Sequence, residues 1–202
     1  MDVKALFVGG YDDCLKGKVI TEAVRRIAVL SPKSSILVVR DHFEGIEGAE
    51  DLELNVAMEY LVGGCFCCSM RHDFELLLLE KGRKEDVRLF VVEVPLTAEL
   101  DVLKALMRNV LGDGVQVTSV FAIDPSIVTV MMETFPELMR RNLSTSDVLA
   151  INEEGGGTAG PGDALGSEWR AAKRLTTRKS TSFAEAKMGL FSKRTDSRCW
   201  PF

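Results

Sequence analysis

The chain has 202 residues, 46% of them hydrophobic, which is enough for one well-filled core and a small appendage. No apolar run approaches the roughly 20 residues a membrane helix requires. The net charge of −5 is unevenly spread. Residues 1–154 carry 16 basic and 26 acidic side chains, whereas residues 155–202 carry 9 and 4. The acidic part offers nothing resembling a nucleic-acid surface. Five cysteines, three of them within four residues, do not read as a secreted disulfide framework. Together with an opening segment too short and too polar for a signal peptide, these features predict a cytoplasmic protein that binds neither membrane nor nucleic acid.

In chain order, residues 3–9 read as a strand buried on both faces. A helix follows over about 16–30, with Val19, Ile20, Ala23, Ile27 and Leu30 on one side, stopped by Ser31-Pro32. Ile36–Val39 is a second buried strand, and Leu54–Val62 a third that ends at Gly63-Gly64. A helix over about Ser69–Lys81 leads to the clearest strand, Val87–Val94. Ala98–Leu111 is helical and ended by Gly112; Val115–Ile123 is a strand; Pro125 to about Arg141 is mostly helical; Val148–Ile151 is the last strand. Short apolar strands alternating with amphipathic helices imply βαβ units and a mainly parallel sheet. After Glu154 the chain turns to linker chemistry, Gly155-Gly156-Gly157-Thr158-Ala159-Gly160-Pro161-Gly162, and then to a Lys/Arg/Ser/Thr-rich stretch. The boundary therefore falls at 154. Residues 155–202 are expected to be a loosely attached or disordered tail, or a segment without an evolved role.

In a parallel sheet, sites form beyond the carboxyl ends of the strands. Five such places carry candidate chemistry. Cys65, Cys67 and Cys68 follow the third strand, and three clustered thiols suit a soft divalent ion such as zinc, or redox chemistry. His72, about one helical turn beyond Cys68, could complete a metal site, as could Asp41, His42 and Glu44 after the second strand. The loop from Gly9-Gly10 to Thr21 contains Gly17-Lys18, the last glycine and lysine of a phosphate-binding G-x-x-x-x-G-K-[ST] pattern. Asp12 stands where the first glycine belongs and Val19 where the hydroxyl belongs; Asp12 and Asp13 would repel phosphate. Glu93 ends the Val87–Val94 strand, where a carboxylate could hold a metal-bound water or simply meet solvent. Asp124 before Pro125 is as well suited to capping a helix.

The segment Gly64-Cys65-Phe66-Cys67-Cys68-Ser69-Met70-Arg71-His72-Asp73 resembles the G-C-x-C-C-[ST]-x-R-x-D stretch of the CobW branch of the CobW/HypB/UreG family. Val91-Val92-Glu93, Val120–Asp124 and Asp147–Asn152 resemble, in the same order, that family's later strand motifs, so the likeness runs over about residues 3–152. The resemblance implies an α/β, P-loop NTPase-like three-layer sandwich and a GTP-dependent metallochaperone or insertion factor. Its cofactors would be zinc, or another thiophilic divalent metal, with GTP and Mg²⁺. Its partners would be a metal-receiving client protein or a paralogous GTPase, and a homodimer is compatible with it. Carried over residue by residue, Gly10, Gly17, Lys18 and Asn152 would bind nucleotide, Glu93 would serve catalysis, and Cys65, Cys67, Cys68, His72, Asp41 and Glu44 would serve the metal.

The departures fall on the nucleotide motifs. The first loop is longer and lacks its Ser/Thr, Val94-Pro95-Leu96 follow Glu93 in place of the switch glycine, and Glu153-Glu154 follow Asn152 in place of the guanine-reading Lys and Asp. The usual carboxy-terminal domain has no counterpart in the basic tail. The sequence thus predicts a metal-binding relative with impaired or lost GTP hydrolysis. An active GTPase with atypical loops, a non-catalytic interaction subunit and a thiol redox protein are the alternatives.

Overall fold

The computed structural model describes residues 3–30, 35–41, 56–84, 87–124 and 127–151. Six strands form one sheet: β1 (Lys4–Gly10), β2 (Ser35–Arg40), β3 (Val56–Tyr60), β4 (Val87–Glu93), β5 (Gln116–Ile123) and β6 (Val148–Ile151). Among the described residues, five helices accompany them: α1 (Asp13–Leu30), α2 (Arg71–Lys84), α3 (Leu100–Leu111), α4 (Val128–Thr134) and α5 (Pro136–Thr145). The strand order is β3-β2-β4-β1-β5-β6, and every pairing is parallel.

A sheet with both faces covered needs apolar residues at successive positions, not alternate ones. β1, β2 and β4 meet that demand. Phe7, Leu37, Val39, Phe90 and Val92 point to one face with Phe74 and Leu78 of α2, Leu100, Leu103, Leu106 and Met107 of α3, and Met139 and Leu143 of α5. Leu6, Val8, Ile36, Val38 and Val91 point to the other, against Val19, Ile20, Ala23 and Val24 of α1. The result is a three-layer sandwich with the central strands β1 and β4 buried most deeply. Each aliphatic or aromatic side chain so buried contributes about 1.5–3 kcal/mol.

Two polar arrangements staple this frame. Asn142 of α5 is buried; its carboxamide oxygen accepts the Leu100 amide at 3.0 Å and its nitrogen donates to the Ala98 carbonyl at 3.1 Å, closing the amino end of α3. Asp147 accepts from Lys104 at 2.8 Å and from the Ser119 amide and hydroxyl at 2.9 and 3.0 Å. Burial raises the Asp147 pKa, but these donors outweigh it and hold it below the ordinary value.

The expected elements are present, with shifted ends. β3 is described over Val56–Tyr60, inside the expected 54–62. The helix expected over 125–141 is two, α4 and α5, because Pro136 cannot continue the first and instead opens the second. The most consequential shift is in α1, which begins at Asp13 and not near residue 16.

Candidate functional site

β1 ends at Gly10, and α1 begins three residues later, so only Tyr11 and Asp12 connect them. Gly10 has φ +132°, and a Cβ there would lie 2.0 Å from the Ala122 carbonyl oxygen, so the turn out of β1 requires glycine. Asp12 then caps the helix: its carboxylate accepts the Leu15 amide at 2.8 Å and its carbonyl accepts the Lys16 amide at 2.9 Å. The long loop expected before α1 is therefore largely helix, because the Asp12 carboxylate satisfies the Leu15 amide at its start.

That start places Gly17 and Lys18 within the first two turns of α1. Gly17 has open space where a Cβ would stand, and Lys18 is half-buried. The lysine that turns inward is Lys16, with a side chain 2% exposed. Its ammonium lies 2.8 Å from Asp13 and 3.5 Å from Glu93 Oε1. Glu93 is fully buried at the end of β4, and its Oε2 accepts from the Arg40 guanidinium at 2.8 Å. Burial lowers the Lys16 pKa, but its acidic neighbours Asp13, Glu93 and Asp41 outweigh this and raise it. The carboxyl ends of β1, β2 and β4 thus meet in an internal ion-pair cluster, Lys16–Glu93–Arg40, in which each cation already faces a carboxylate. Tyr11 packs edge-on against Phe121, with ring centroids 5.6 Å apart. Its buried hydroxyl has no hydrogen-bond partner among the described residues, and burial pushes its pKa up to about 12.

The second region lies beyond β3, an edge strand of this sheet. The Leu61 amide donates to the Arg40 carbonyl at 2.9 Å, which fixes where the chain leaves the sheet. Gly63 has φ +104°, and a Cβ on Gly64 would stand 2.3 Å from Ser69 Oγ, so this double glycine is required by conformation and by contact. The loop is anchored by Phe66, which is fully buried and stacks on Phe74 at 5.3 Å. The Cys65 carbonyl accepts the amides of Cys68 and Met70 at 3.1 and 3.0 Å, while the Cys65 amide donates to Ser69 Oγ at 3.0 Å. This fold of the loop gathers the three thiols: their Sγ atoms all lie within 4.8 Å of one another. Cys65 is buried, Cys67 half-buried and Cys68 exposed. Burial, aided by the Cys67 hydrogen bond, pushes the Cys65 thiol up to about 12. The hydrogen bond with Cys65, with help from the Ser69 backbone, holds Cys68 below the usual thiol range.

Among the described residues, no other group of three potential metal ligands is this close, and the group includes neither His72 nor Asp41. His72 is exposed in the first turn of α2 and Asp41 is half-buried after β2. Glu44, His42 and Asn152 lie outside the described residues, as does the 155–202 tail. The sequence reading gives no role to Lys16, nor to Arg40 although it stands at a strand end, and both carry a signal. With a helix starting at Asp13, Lys16 falls on the same stripe as Val19, Ile20, Ala23 and Val24. Arg40 directly follows a fully buried apolar run and so needs a carboxylate partner.

No family model matches the sequence, and no curated protein matches it. Among solved structures, the zinc-bound YjiA GTPase from E. coli superposes with a TM-score of 0.51 at 12% identity, over 87% of this chain and 54% of that one. The fold is a P-loop NTPase-like sandwich. The signal recognition particle receptor FtsY from Elizabethkingia anophelis, in complex with GDP, gives 0.49 at 13% identity over 80% and 52%. FtsY from Mycoplasma mycoides gives 0.47 at 12% identity over 87% and 57%. The chain spans about half the length of these structures, and identities this low speak to the fold alone. Among the described residues, no helix is long and apolar enough to cross a membrane.

Proposed function

We propose that this chain is a metal-binding relative of the CobW-type metallochaperones that holds one thiophilic divalent ion, zinc by preference, on Cys65, Cys67 and Cys68, with GTP hydrolysis impaired or lost. The observation that carries the metal reading is the thiol trio, gathered by a loop whose glycines, aromatic anchor and serine hydroxyl fix its shape. Thiolates bind zinc at about 2.3 Å, so tetrahedral geometry separates two of them by about 3.8 Å. Sulfurs within 4.8 Å of one another reach that spacing by side-chain adjustment. Three protein thiols leave a fourth position for water, for His72, or for a group on a client protein. That open position distinguishes a site built for exchange from a closed structural one. Binding releases thiol protons, so it tightens as pH rises.

The impaired-nucleotide reading rests on the β1 end. A P-loop cradles phosphates with free backbone amides, a lysine and a metal-binding hydroxyl. Here Asp12 caps the helix start, Lys16 is committed to Asp13 and Glu93, and Val19 stands in place of the hydroxyl. Glu93, the candidate for a metal-bound water, is held by Arg40. A triphosphate entering here would have to break buried ion pairs, and disrupting such a pair costs about 3–5 kcal/mol. The second reading, an active GTPase with atypical loops, draws support from the name of YjiA, a zinc-bound GTPase of the same fold. In that reading Lys16, or Lys18 after rearrangement, would meet phosphate. A metal-receiving client or a paralogous GTPase is the proposed partner in either case, and the cytoplasm the proposed compartment.

The test is zinc competition against a chromophoric chelator on reduced protein without a polyhistidine tag, with GTP turnover measured on the same sample. Equimolar zinc that is lost in Cys67→Ala, with no turnover above a buffer control, is expected. Failure to take up zinc would sink the metal reading, and turnover abolished by Lys16→Ala or Lys18→Ala would establish the second.

A further inference from the structure

The thiol loop holds two of its sulfurs far closer than metal binding requires. Cys65 Sγ and Cys67 Sγ are 2.8 Å apart. We propose that Cys65 and Cys67 are an oxidisable dithiol, closed by a hydroperoxide into an intrachain disulfide whenever no metal occupies the loop. The metal clause rests on the proposed zinc site; the dithiol itself rests on the loop geometry alone.

Three features of the loop favour this pair over the others. Access is graded: Cys68 is exposed and Cys67 half-buried, both reachable by a small oxidant, whereas Cys65 is 7% exposed. Cys65 is thus the resolving thiol, and of the two reachable sulfurs Cys67 is the one held 2.8 Å from it. Cys67 and Cys68 are adjacent, and adjacent Cα atoms are held about 3.8 Å apart by the trans peptide. Disulfides normally span about 4.4–6.8 Å between Cα atoms, so a vicinal bridge is strained, whereas the 65–67 spacing is free of that limit. The loop is also already folded around the pair, through the Cys65 carbonyl, the Ser69 hydroxyl and the buried Phe66 ring. Little chain entropy remains to be lost on closure, and a prepositioned group reacts with an effective molarity of roughly 10⁵ M or more.

The chemistry balances with one equivalent of hydroperoxide. Cys67 sulfur attacks the terminal peroxide oxygen, the O–O bond breaks, and hydroxide (or alkoxide) leaves, taking the thiol proton to become water (or alcohol). Cys67 is then a sulfenic acid. Cys65 sulfur attacks the Cys67 sulfur, the S–O bond breaks, and the hydroxyl leaves as water with the Cys65 proton. Two thiols are oxidised by two electrons and one peroxide is reduced; a dithiol reductant reverses the step by exchange. A bound metal would occupy the same sulfur lone pairs, so the loaded loop should resist.

The experiment treats the full chain, reduced and metal-free, with limiting hydrogen peroxide, and follows it by intact mass and by fragmentation mapping after alkylation. Loss of two hydrogens with Cys65 and Cys67 linked, and Cys68 still alkylated, is the expected result. Cys68→Ser should close as the parent does, while Cys65→Ser should stop at a Cys67 sulfenic acid that dimedone traps. A Cys65–Cys68 link, chain-to-chain links, or sulfinic acid at Cys67 without a link would each overturn the proposal. Zinc-loaded protein should oxidise several-fold more slowly. Equal rates with an intact 65–67 link would sink the metal assignment of these thiols and the gating clause, while leaving the dithiol standing.

Discussion

The carboxyl ends of β1 and β3 are built from opposite materials. At β1 the chain brings charge inward and neutralises it: Lys16 and Arg40 converge on Glu93, and Asp12 occupies the helix start. Beyond β3 it brings soft, neutral ligands together and leaves one of them at the surface. On the proposed reading, a buried cluster whose charges already face one another has less to offer a ligand. A prefolded loop of three clustered thiols has more. On the proposed reading, the contrast teaches that one fold can keep its site positions while binding capacity lies at the thiol loop and not at the β1 end.

The comparison breaks most readily at Glu93. Glu93→Ala leaves two buried cations without their shared carboxylate, and an unfolding free energy lower by about 3–5 kcal/mol is expected from urea titration. A catalytic carboxylate at a solvated strand end would instead be lost with little change in stability. Phe66→Ala removes the ring that anchors the thiol loop, at a cost of about 3–5 kcal/mol for a large buried aromatic, and zinc affinity should fall although no ligand is touched. Calorimetric unfolding and the chelator competition read the two effects separately. Asp12→Ala should cost about 0.5–2 kcal/mol, the loss of a helix cap. A phosphate-binding loop would instead gain anion affinity from losing that carboxylate, which fluorescence titration with a nucleotide analogue would register. Smallest is Gly17→Ala, for which a gain of about 0.5–1 kcal/mol is expected, because the residue is helical with room for a Cβ. A loss there would mean that Gly17 serves a phosphate loop after all.

Much of the fold was legible because apolar periodicity is a local signal. The runs at 36–39 and 87–94 have the length and composition of strands covered on both sides, and the sheet places them there; the run at 148–151 is a strand too, half-buried at an edge of the sheet. The thiol loop was legible for a similar reason, since three cysteines, two glycines and Phe66 lie within six residues of one another. The charge cluster was not. Lys16, Arg40 and Glu93 are separated by 24 and 53 residues, and nothing in a linear reading pairs them before the strand order puts β2 beside β4 and β4 beside β1. The pattern Gly17-Lys18 likewise gives no sign that Lys16, two residues before Lys18, is the lysine that joins the buried cluster. A motif fixes spacing but not where a helix begins, and Asp12 begins this one early.

The contrast between the two strand ends is tested most directly on one sample. Reduced, untagged protein is mixed with equimolar zinc and excess Mg-GTP, and native mass spectrometry counts what each chain carries. The account predicts one zinc per chain and no nucleotide adduct, with the zinc lost in Cys67→Ala. A chain that carries nucleotide and no zinc would contradict it.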